Sequence, residues 1–523
     1  MRVRLAGAIV CAGLLVLGSQ LASASPVVRV PRYGVFEQAL TFSTSVANPW
    51  EQVTETVTLT GPGGGTVSVG GFYVGGSTWM FRFAPPTLST WHWSARITDG
   101  THGVTRLGSF LAVDGGLPGF VRRSPHNRFR WAFSDGEPYE PIGLQDCTIT
   151  VYTDNPLTGF GFDGGQGTPP SWTSLDPYLQ AYAAAGFNLF RWGPDNCSFR
   201  LYDRITPGGN VYSQEGGAYA DQLVAALRRH GFRVEFVLFG FEPSFPGGAQ
   251  DPAKMAAVER YVKYVVDRYG ASVDFWELMN EATASDGWYA TIAAYLRRID
   301  PYRHPIGTSW SRPDLPGIDF GSDHWYQTEG DLDSDRVTWL RLRGEQARLY
   351  GKPTLVDEQG NSGHNWDPTS AVRMRLRAWT AFFAEAGLVF WNTSATKDYR
   401  SETANIYLGP EERGYIRVLA RYVRDFDPRA HVVAATVPGR SDLRAYALRG
   451  PAQYGLYLVD GASHTALVTG AGVIVNPAHA GRAVWTDPAT GSTLEILRVA
   501  AGRQTLVAPP FTTDVALEIT AGS

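Results

Sequence analysis

Eight short apolar segments alternate with longer, helix-like stretches between residues 120 and 427. Short and mostly apolar segments are typical of strands that are buried on both faces of a parallel sheet. The eight segments are Pro141–Gln145, Asn188–Trp192, Arg233–Phe239, Val273–Met279, Ile306–Ser309, Gly321–Trp325, Pro353–Val356 and Leu388–Trp391. Between the third and fourth segments, an apolar stripe at helical spacing is formed by Met255, Val258, Val262, Val265 and Tyr269. Eight strands in roughly 300 residues predict a (β/α)8 barrel, whose functional side chains follow the strands.

The regions on either side of this barrel have a different pattern. Polar and apolar residues alternate in Glu55–Thr60 and Trp79–Phe83 before the barrel, and in Tyr454–Val459 after it. Glycine and proline separate such runs, and this arrangement predicts β-sandwiches. We therefore predict an α/β protein in which a (β/α)8 TIM barrel at 120–427 is flanked by all-β sandwich domains at 30–115 and 428–523. Three domains agree with a length of 523 residues.

Residues 1–24 have the pattern of a secretory signal peptide. Arg2 and Arg4 precede the apolar stretch Leu5–Leu17, and Ala22–Ala24 has the small residues of a cleavage site. The stretch is shorter than the ~20 residues that a membrane-spanning helix requires, and no later segment is long and apolar enough. These features predict a secreted protein, extracellular or in the cell envelope, without a membrane span.

Removal of the signal peptide leaves two cysteines, Cys147 and Cys197. Disulfides persist in exported proteins, so we predict that these two residues form one. Two inert buried thiols are the alternative, and a thiol titration of the denatured mature protein distinguishes the two states.

Composition and charge argue against several classes of partner. A formal net charge of −4, without runs of lysine and arginine, predicts that the protein binds no nucleic acid. The ten histidines include no His-Glu-x-x-His motif, so we predict neither a catalytic metal nor another cofactor. Aromatic residues make up 13% of the chain, which fits stacking on sugar rings and β-rich core packing equally well.

Two glutamates directly follow or end predicted barrel strands. Asn280-Glu281 follows the fourth strand, and Asp357-Glu358 ends the seventh. Cleavage of a glycosidic bond with retention requires one carboxyl to protonate the leaving oxygen and another, about 5 Å away, to attack the anomeric carbon. Two rim positions of one barrel can supply this pair. We expect the closeness of the two negative charges to raise the pKa of the acid, Glu281.

With these residues the chain resembles the clan A glycoside hydrolases, in which Asn-Glu ends the fourth strand and a second Glu ends the seventh. The resemblance implies that Glu281 is the acid/base and Glu358 the nucleophile. It also implies five supporting residues: Arg191 to hold the nucleophile, His324 and Tyr326 as a His-x-Tyr pair beside it, Trp391 as the floor under the sugar, and Asn280 on the sugar 2-hydroxyl. Ala282 departs from the pattern, since many members have proline there. This loosens the family assignment and leaves the chemistry unchanged.

The flanking regions resemble companions of endoglucanase-like barrels. Asn48–Trp50, Gly71–Tyr73 and Trp91–Trp93 resemble a β-sandwich that often precedes such a barrel. Arg128–Tyr139 is similar to the hairpin that begins these barrels, and Trp485–Gly491 resembles part of a C-terminal sandwich found with some of them.

Other polar residues near strand ends have alternative explanations. Glu277 and Asp357 are interpreted as buried supporting carboxylates rather than as the catalytic pair. For Arg191 the alternative role is a structural ion pair, and for His324 the alternative is packing in the core. Four residues fit sugar contact and plain loop or packing roles equally well: Asp146, Asp195, Glu242 and Trp192.

The sequence thus predicts a secreted retaining glycoside hydrolase that cleaves O-glycosidic bonds of a polysaccharide or oligosaccharide by double displacement. A non-catalytic carbohydrate-binding protein on a degenerate barrel and a transglycosylase are the alternatives. The sequence does not indicate the sugar, the linkage, endo or exo action, structural calcium, the role of the sandwiches or the oligomeric state. Fold and motif specify a reaction rather than a substrate.

Overall fold

The computed structural model describes residues 27–145, 172–194, 198, 200–240, 251–327, 331–361, 370–392 and 408–522. The predicted signal peptide and the predicted disulfide partners, Cys147 and Cys197, lie outside the described residues, as do Asp146, Asp195 and Glu242. Within the described ranges, no helix has both the length and the apolar character needed to cross a membrane.

Two antiparallel-rich sheets form the N-terminal region. Its strands are β1 (Arg29–Pro31), β2 (Phe36–Thr41), β3 (Thr54–Thr60), β4 (Thr66–Gly70), β5 (Phe72–Gly75), β6 (Thr78–Phe83), β7 (Thr90–Thr98) and β8 (Gly103–Val113), with helix α1 (Pro49–Gln52) and a 3₁₀ turn at Pro62–Gly64. One sheet has the order β1-β8-β7-β3-β4 and the other β2-β6-β5. Alternate residues of β7 are buried, among them Trp91 and Trp93, because successive side chains of a strand point to opposite faces.

The central region contains the predicted barrel. Its strands are β9 (Val121–Arg123), β10 (Trp131–Phe133), β11 (Pro138–Tyr139), β12 (Ile142–Gln145), β13 (Leu189–Trp192), β14 (Tyr202–Arg204), β15 (Val211–Tyr212), β16 (Arg233–Phe239), β17 (Phe275–Met279), β18 (Ile306–Gly307), β19 (Gly321–Gln327), β20 (Thr354–Asn361) and β21 (Ala386–Trp391). Eight of them are parallel neighbours in the order β18-β17-β16-β13-β12-β21-β20-β19, a nearly closed barrel. All eight strands overlap the predicted segments, so the predicted fold class is confirmed.

Helices cover the outside of the barrel. They are α2 (Trp172–Ala185), α3 (Gln214–Arg229), α4 (Pro252–Tyr269), α5 (Asp286–Ile299), α6 (Ser334–Gly344), α7 (Gln346–Leu349), α8 (Ser370–Phe383) and α9 (Pro410–Arg424), with a 3₁₀ turn at Asp331–Asp333. Helix α4 buries the predicted apolar stripe. It begins at Pro252 because the Asp251 side chain accepts hydrogen bonds from the first free backbone N–H groups, those of Ala253 and Lys254.

The hairpin β9–β11 closes the amino-terminal end of the barrel. The Trp131 ring lies edge-on to Phe275 and Phe320, at centroid distances of 5.0 and 5.6 Å, and packs with buried barrel residues that include Leu189 and Leu355. Apolar rings and aliphatic side chains therefore pack around Trp131 at this end of the barrel. The strand-end residues predicted to carry chemistry lie at the opposite, carboxyl ends of the strands, where functional residues of this architecture usually lie.

A second set of β-sheets follows helix α9. Its strands are β22 (His431–Val433), β23 (Leu443–Arg449), β24 (Gln453–Asp460), β25 (Gly472–Val475), β26 (Gly481–Thr486), β27 (Thr493–Val499), β28 (Gln504–Val507) and β29 (Asp514–Ala521). The larger sheet packs on helix α8, where Arg375 donates to Asp514 at 2.7 Å and the rings of Trp379 and Tyr457 stack at 5.4 Å. The division of the chain at residues 115, 120, 427 and 428 remains a prediction.

Candidate active site

Glu281 lies at the mouth of the barrel, two residues beyond strand β17. Its backbone has a φ of 48°, in the left-handed region that non-glycine residues rarely adopt, and its N–H donates to the Ser309 hydroxyl at 3.0 Å. Ser309 in turn donates to Glu277 at 2.9 Å. The Glu281 side chain remains 30% exposed, so it can meet a substrate.

Glu358 lies in strand β20 and is almost completely buried, with 3% of its side chain exposed. Its Oε2 accepts a hydrogen bond from Nη1 of Arg191 at 2.9 Å, and its Oε1 accepts one from the Tyr326 hydroxyl. Three oxygen and nitrogen atoms converge at this point, since a carboxylate oxygen of Glu281, a carboxylate oxygen of Glu358 and a ring nitrogen of His324 all lie within 4.8 Å of one another. The two carboxylates predicted as a pair are therefore neighbours.

The guanidinium of Arg191 connects several strand ends. It donates to both carboxylate oxygens of Glu277 at 2.6 and 2.8 Å, to Asn280 at 2.7 Å, and also to Gln145. Burial opposes its charge, but the carboxylate of Glu277 and those of Asp357 and Glu358 raise the pKa of Arg191 well above its usual value. Arg191 thus forms a buried ion pair and also holds Glu358.

His324 lies between the carboxylates of two strands. Its Nδ1 is 3.0 Å from Oε1 of Glu281 and 3.7 Å from Oε2 of Glu358, while its Nε2 is 3.3 Å from Oδ1 of Asp357. Burial favours the neutral imidazole, but the negative charges of Glu358 and Asp357 raise the pKa of His324 well above its usual value.

The protonated imidazole changes the electrostatics expected for Glu281. We expected a neighbouring negative charge to raise the pKa of this carboxyl. The hydrogen bond from His324 instead lowers the pKa of Glu281, against the opposing effect of partial burial. The expectation was wrong because the fold brings the His324 imidazole within hydrogen-bonding distance of Glu281, and this hydrogen bond outweighs the effects that raise its pKa.

Three further carboxyls lie deeper in the barrel. Glu277 and Asp357 are fully buried; Glu277 binds Arg191, and Asp357 accepts from the Ser322 hydroxyl. Glu235, on strand β16, has no hydrogen bond to either carboxylate oxygen from any described residue. Burial, and then the negative charges of Asp357 and Glu277, raise the pKa of Glu235 well above its usual value. Sequence reasoning missed Glu235, whose position within an apolar strand gave no sign of a neighbouring charge cluster.

Aromatic side chains border the carboxylate pair. Trp391, at the end of β21, is half-buried, and its ring centroid lies 6.1 Å from that of Tyr326. Trp310 is 44% exposed, and its ring centroid lies 6.0 Å from that of His324. Trp310 was not selected from the sequence, and its position after strand β18 is the feature that could have indicated a place in the site. Trp192 is buried and donates to Ser198 at 2.7 Å, which favours the packing alternative for this residue.

Among the residues that the structure describes, two groups of three could hold a metal ion by distance alone. They are Glu281, His324 and Glu358, and Glu277, His324 and Asp357. Arg191 already donates to Glu277 and Glu358, however, and an imidazole with a raised pKa is protonated and cannot coordinate. Protein cations thus balance these carboxylates. The absence of a metal remains a prediction.

Comparison with known protein families gives a match in the N-terminal region. Residues 29–98 match a family described as a domain of unknown function, DUF5060. None of the curated proteins compared with the chain matches it.

Solved structures cover most of the chain. A candidate glycoside hydrolase from Bacteroides vulgatus is similar with a TM-score of 0.67 and 16% identity, over 94% of this chain and 100% of the other. A family 5 glycoside hydrolase from the same organism gives a TM-score of 0.55 and 15% identity, over 77% and 94% of the two chains. A further glycoside hydrolase gives 0.54 and 15%, over 77% and 97%. The chain therefore has the fold of glycoside hydrolases, which confirms the predicted resemblance to clan A at the level of fold.

Proposed function

We propose that this protein is a secreted retaining glycoside hydrolase that cleaves O-glycosidic bonds of a polysaccharide or oligosaccharide. The observation that carries the proposal is the pair of carboxylates at the barrel mouth, with oxygens of Glu281 and Glu358 within 4.8 Å of each other. Retaining enzymes have such closely spaced carboxyls, whereas inverting enzymes leave room between them for a water molecule. The glycoside hydrolase fold supports the same reaction class.

In the first step, Glu358 attacks the anomeric carbon as the glycosidic oxygen leaves with a proton from Glu281. Arg191 and Tyr326 hold the attacking carboxylate through the hydrogen bonds described above. A covalent glycosyl-enzyme forms, and the bond between the anomeric carbon and the leaving oxygen breaks.

His324 supplies the proton that Glu281 needs. In the free protein the proton resides on His324, because its pKa is raised while that of Glu281 is lowered. Attack consumes the negative charge of Glu358, which lies 3.7 Å from His324 Nδ1 and stabilises the imidazolium. As that charge disappears, the proton moves across the 3.0 Å hydrogen bond to Glu281 and on to the leaving oxygen.

In the second step, Glu281 takes a proton from water as the water oxygen attacks the same carbon and releases Glu358. As the negative charge of Glu358 is restored, this proton returns from Glu281 to His324 across their hydrogen bond. Two displacements restore the original anomeric configuration.

In this proposal Trp391 and Trp310 offer faces for a sugar ring, and Asn280, held by Arg191, binds the sugar 2-hydroxyl. The glycoside hydrolase fold supports a carbohydrate substrate.

The test compares wild type with Glu358→Ala and Glu281→Ala on aryl glycosides and on plant, fungal and bacterial cell-wall glycans. We expect Glu358→Ala to abolish hydrolysis and Glu281→Ala to be partly rescued by azide on aryl glycosides. Glu137→Gln, an exposed change in the hairpin at the opposite end of the barrel, is the control and should be fully active.

Product analysis decides between this proposal and its alternatives. Retained configuration in early products, observed by NMR, supports double displacement, and inversion contradicts it. Glycan binding without turnover in the wild type would instead indicate a non-catalytic protein, and predominant transfer to sugar acceptors would indicate a transglycosylase.

Export and the disulfide belong to the same proposal. The pattern at residues 1–24 supports export, and export supports a bond between Cys147 and Cys197. Mass spectrometry of the secreted protein should find the chain without this segment and two mass units below the value for two free thiols.

A further inference from the structure

Trp310 stands out among the tryptophans whose side chains the structure describes, because it alone is exposed. The side chains of the others are buried or half-buried, whereas Trp310 is 44% exposed. It lies at the barrel mouth, three residues beyond strand β18. An indole is a large apolar surface, and its contact with water is unfavourable until another molecule covers it. Exposure and position together indicate that this ring is a binding face.

The loop that carries Trp310 is attached to the loop that carries Glu281. Ser309, directly before Trp310, accepts a hydrogen bond from the Glu281 N–H at 3.0 Å. Two residues after Trp310, Arg312 donates to Asp286 at 2.7 Å, at the start of the helix that follows Glu281. Strands β17 and β18, which lead into these loops, are parallel neighbours in the barrel. Trp310 therefore lies on the Glu281 side of the mouth.

Trp391 has the corresponding position beside Glu358. It ends strand β21, which is the parallel neighbour of the strand β20 that contains Glu358. Its ring centroid lies 6.1 Å from that of Tyr326, whose hydroxyl donates to Glu358. Each carboxylate of the pair thus has an aromatic ring on a neighbouring strand, and the two rings serve different sides of the bond to be cleaved.

The roles of the carboxylates assign these sides. Glu358 attacks the anomeric carbon, and Glu281 protonates the oxygen that leaves, so the leaving group extends past Glu281. A ring beside Glu281 therefore meets the leaving group, and the C–H face of a sugar ring stacks well on an indole. We propose, on the basis of the proposed function, that Trp310 binds the first sugar ring of the leaving group. The substrate then has a sugar on both sides of the cleaved bond.

A purely structural role for Trp310 predicts a different behaviour. Its ring centroid lies 6.0 Å from that of His324, at an interplanar angle of 61°, and Nδ1 of His324 is 3.0 Å from Oε1 of Glu281. If Trp310 served only to hold the imidazole, its removal would disturb the supply of the proton for every leaving group. The pH dependence of activity separates this role from sugar binding.

The experiment compares two substrates of the full mature chain. One is the oligosaccharide hydrolysed best among those of glucose, mannose, galactose and xylose, and the other is a glycosyl fluoride with the same sugar on the side that becomes attached to Glu358. A fluoride ion has no ring, so it leaves without contact to Trp310. The variants are Trp310→Ala and Trp310→Phe, which keeps an aromatic face. Tyr350→Ala is the matched control, since Tyr350 is 51% exposed and precedes strand β20 at the opposite end of the barrel.

We expect Trp310→Ala to lower kcat/KM for the oligosaccharide by about tenfold, the order of one lost aromatic contact, and Trp310→Phe to lower it less. Hydrolysis of the fluoride should change by less than about twofold, and Tyr350→Ala should match wild type on both substrates. The alkaline limb of kcat/KM should stay in place in Trp310→Ala. Thermal unfolding of each variant checks that it is folded.

Three results overturn the proposal: an equal loss on both substrates, unchanged hydrolysis of the oligosaccharide, or a shifted alkaline limb in Trp310→Ala. The failure of the proposed function has a different signature. A wild type that hydrolyses fluorides with retention but no oligosaccharide overturns only the role of Trp310, whereas a wild type that hydrolyses neither substrate contradicts the proposed function and this inference with it.

Discussion

Two buried carboxyls, Glu358 at the barrel mouth and Glu55 where the N-terminal sheets meet the barrel, lie in opposite surroundings. Glu358 accepts hydrogen bonds from Arg191 and Tyr326. Glu55 accepts none from any described residue. Burial penalises the negative charge of either carboxyl, so the partners that the protein provides decide whether the charge is kept.

The titration behaviour of two carboxyls follows the same division. Glu281 has its pKa lowered by the hydrogen bond from His324, whereas burial raises the pKa of Glu55 to about 8. A site that must hold reactive charge before its substrate arrives supplies its own cations. A buried carboxyl without such partners takes up a proton instead, and the following predictions test this distinction.

The largest effect should come from Arg191→Met. Its removal leaves Glu277 buried without a cation, which costs about 3–5 kcal/mol of the free energy of unfolding, and frees Glu358. We expect no measurable hydrolysis and a lower denaturation midpoint by tryptophan fluorescence. Arg312→Met, which breaks exposed ion pairs with Asp286 and Asp314, should cost less than about 1 kcal/mol. Equal losses of unfolding free energy in Arg191→Met and Arg312→Met would contradict this prediction.

His324→Gln should move the pH dependence of activity. In wild type the proton for the leaving group is held by the pair of His324 and Glu281, and it is lost only as pH rises through the raised pKa of His324. In the variant that proton is lost from Glu281 alone, near the ordinary carboxyl value. The alkaline limb of kcat/KM should therefore shift down by at least about two pH units, or about 100-fold in rate at pH 7.

The same histidine links pH to stability, which provides an independent check. A folded-state pKa above the unfolded value contributes stability that is fully present below pH ~6.5 and is lost as pH rises through the folded value. Wild type should lose more unfolding free energy than His324→Gln over this alkaline range. In the activity measurement, an alkaline limb of kcat/KM that stays in place in His324→Gln would show that His324 does not hold the catalytic proton.

Tyr326→Phe should have a smaller effect at the same site. It removes one hydroxyl donor to Glu358, a hydrogen bond to a charged group worth about 2 kcal/mol, or roughly 30-fold in kcat. Tyr415→Phe is the matched control, since its hydroxyl donates to the carboxylate of Glu411 at 2.8 Å on the exposed face of helix α9. We expect no change in kcat for the control, and steady-state kinetics measures both.

The strands and the strand-end residues of the barrel could be predicted from the sequence for a simple physical reason. A strand buried on both faces is a short apolar run, and in a parallel barrel the residue that follows such a run lies at one common end. Glu281 and Glu358 were found in this way, whereas Arg191 was implied by the resemblance to the clan A glycoside hydrolases. Their distances and bonding partners were not found, because they depend on contacts between strands that are far apart in the chain.

Other groups of the site were not recognised although they also lie at a strand end. Ser309 ends the predicted segment Ile306–Ser309 and Trp310 follows it, but neither residue type indicates by itself a bond to Glu277 or a place beside His324. The pKa direction of Glu281 depends on His324 lying within hydrogen-bonding distance of it, and sequence spacing contains no information on that distance.

Glu235 gives the smallest expected effect and the sharpest form of the comparison, because it is the counterpart of Glu55 inside the barrel. It is fully buried, has no hydrogen bond from any described residue, and has a raised pKa, so it is a neutral acid when the protein is active. Glu235→Gln replaces one neutral group by another of equal shape. Below the ordinary carboxyl pKa of about 4.5, where the unfolded chain also binds this proton, we expect the free energy of unfolding to change by less than about 1 kcal/mol, and we expect kcat to stay the same.

Glu277→Gln is the matched test, because it makes the same chemical change at a carboxylate that binds Arg191 through both oxygens. Removing that charge should cost several times more stability and should reduce activity. The two variants should also separate with pH: wild type loses stability as pH rises toward the raised pKa of Glu235, and Glu235→Gln removes that loss. If Glu235→Gln is as harmful as Glu277→Gln, then Glu235 is ionised and partnered, and the comparison of Glu235 with Glu55 fails.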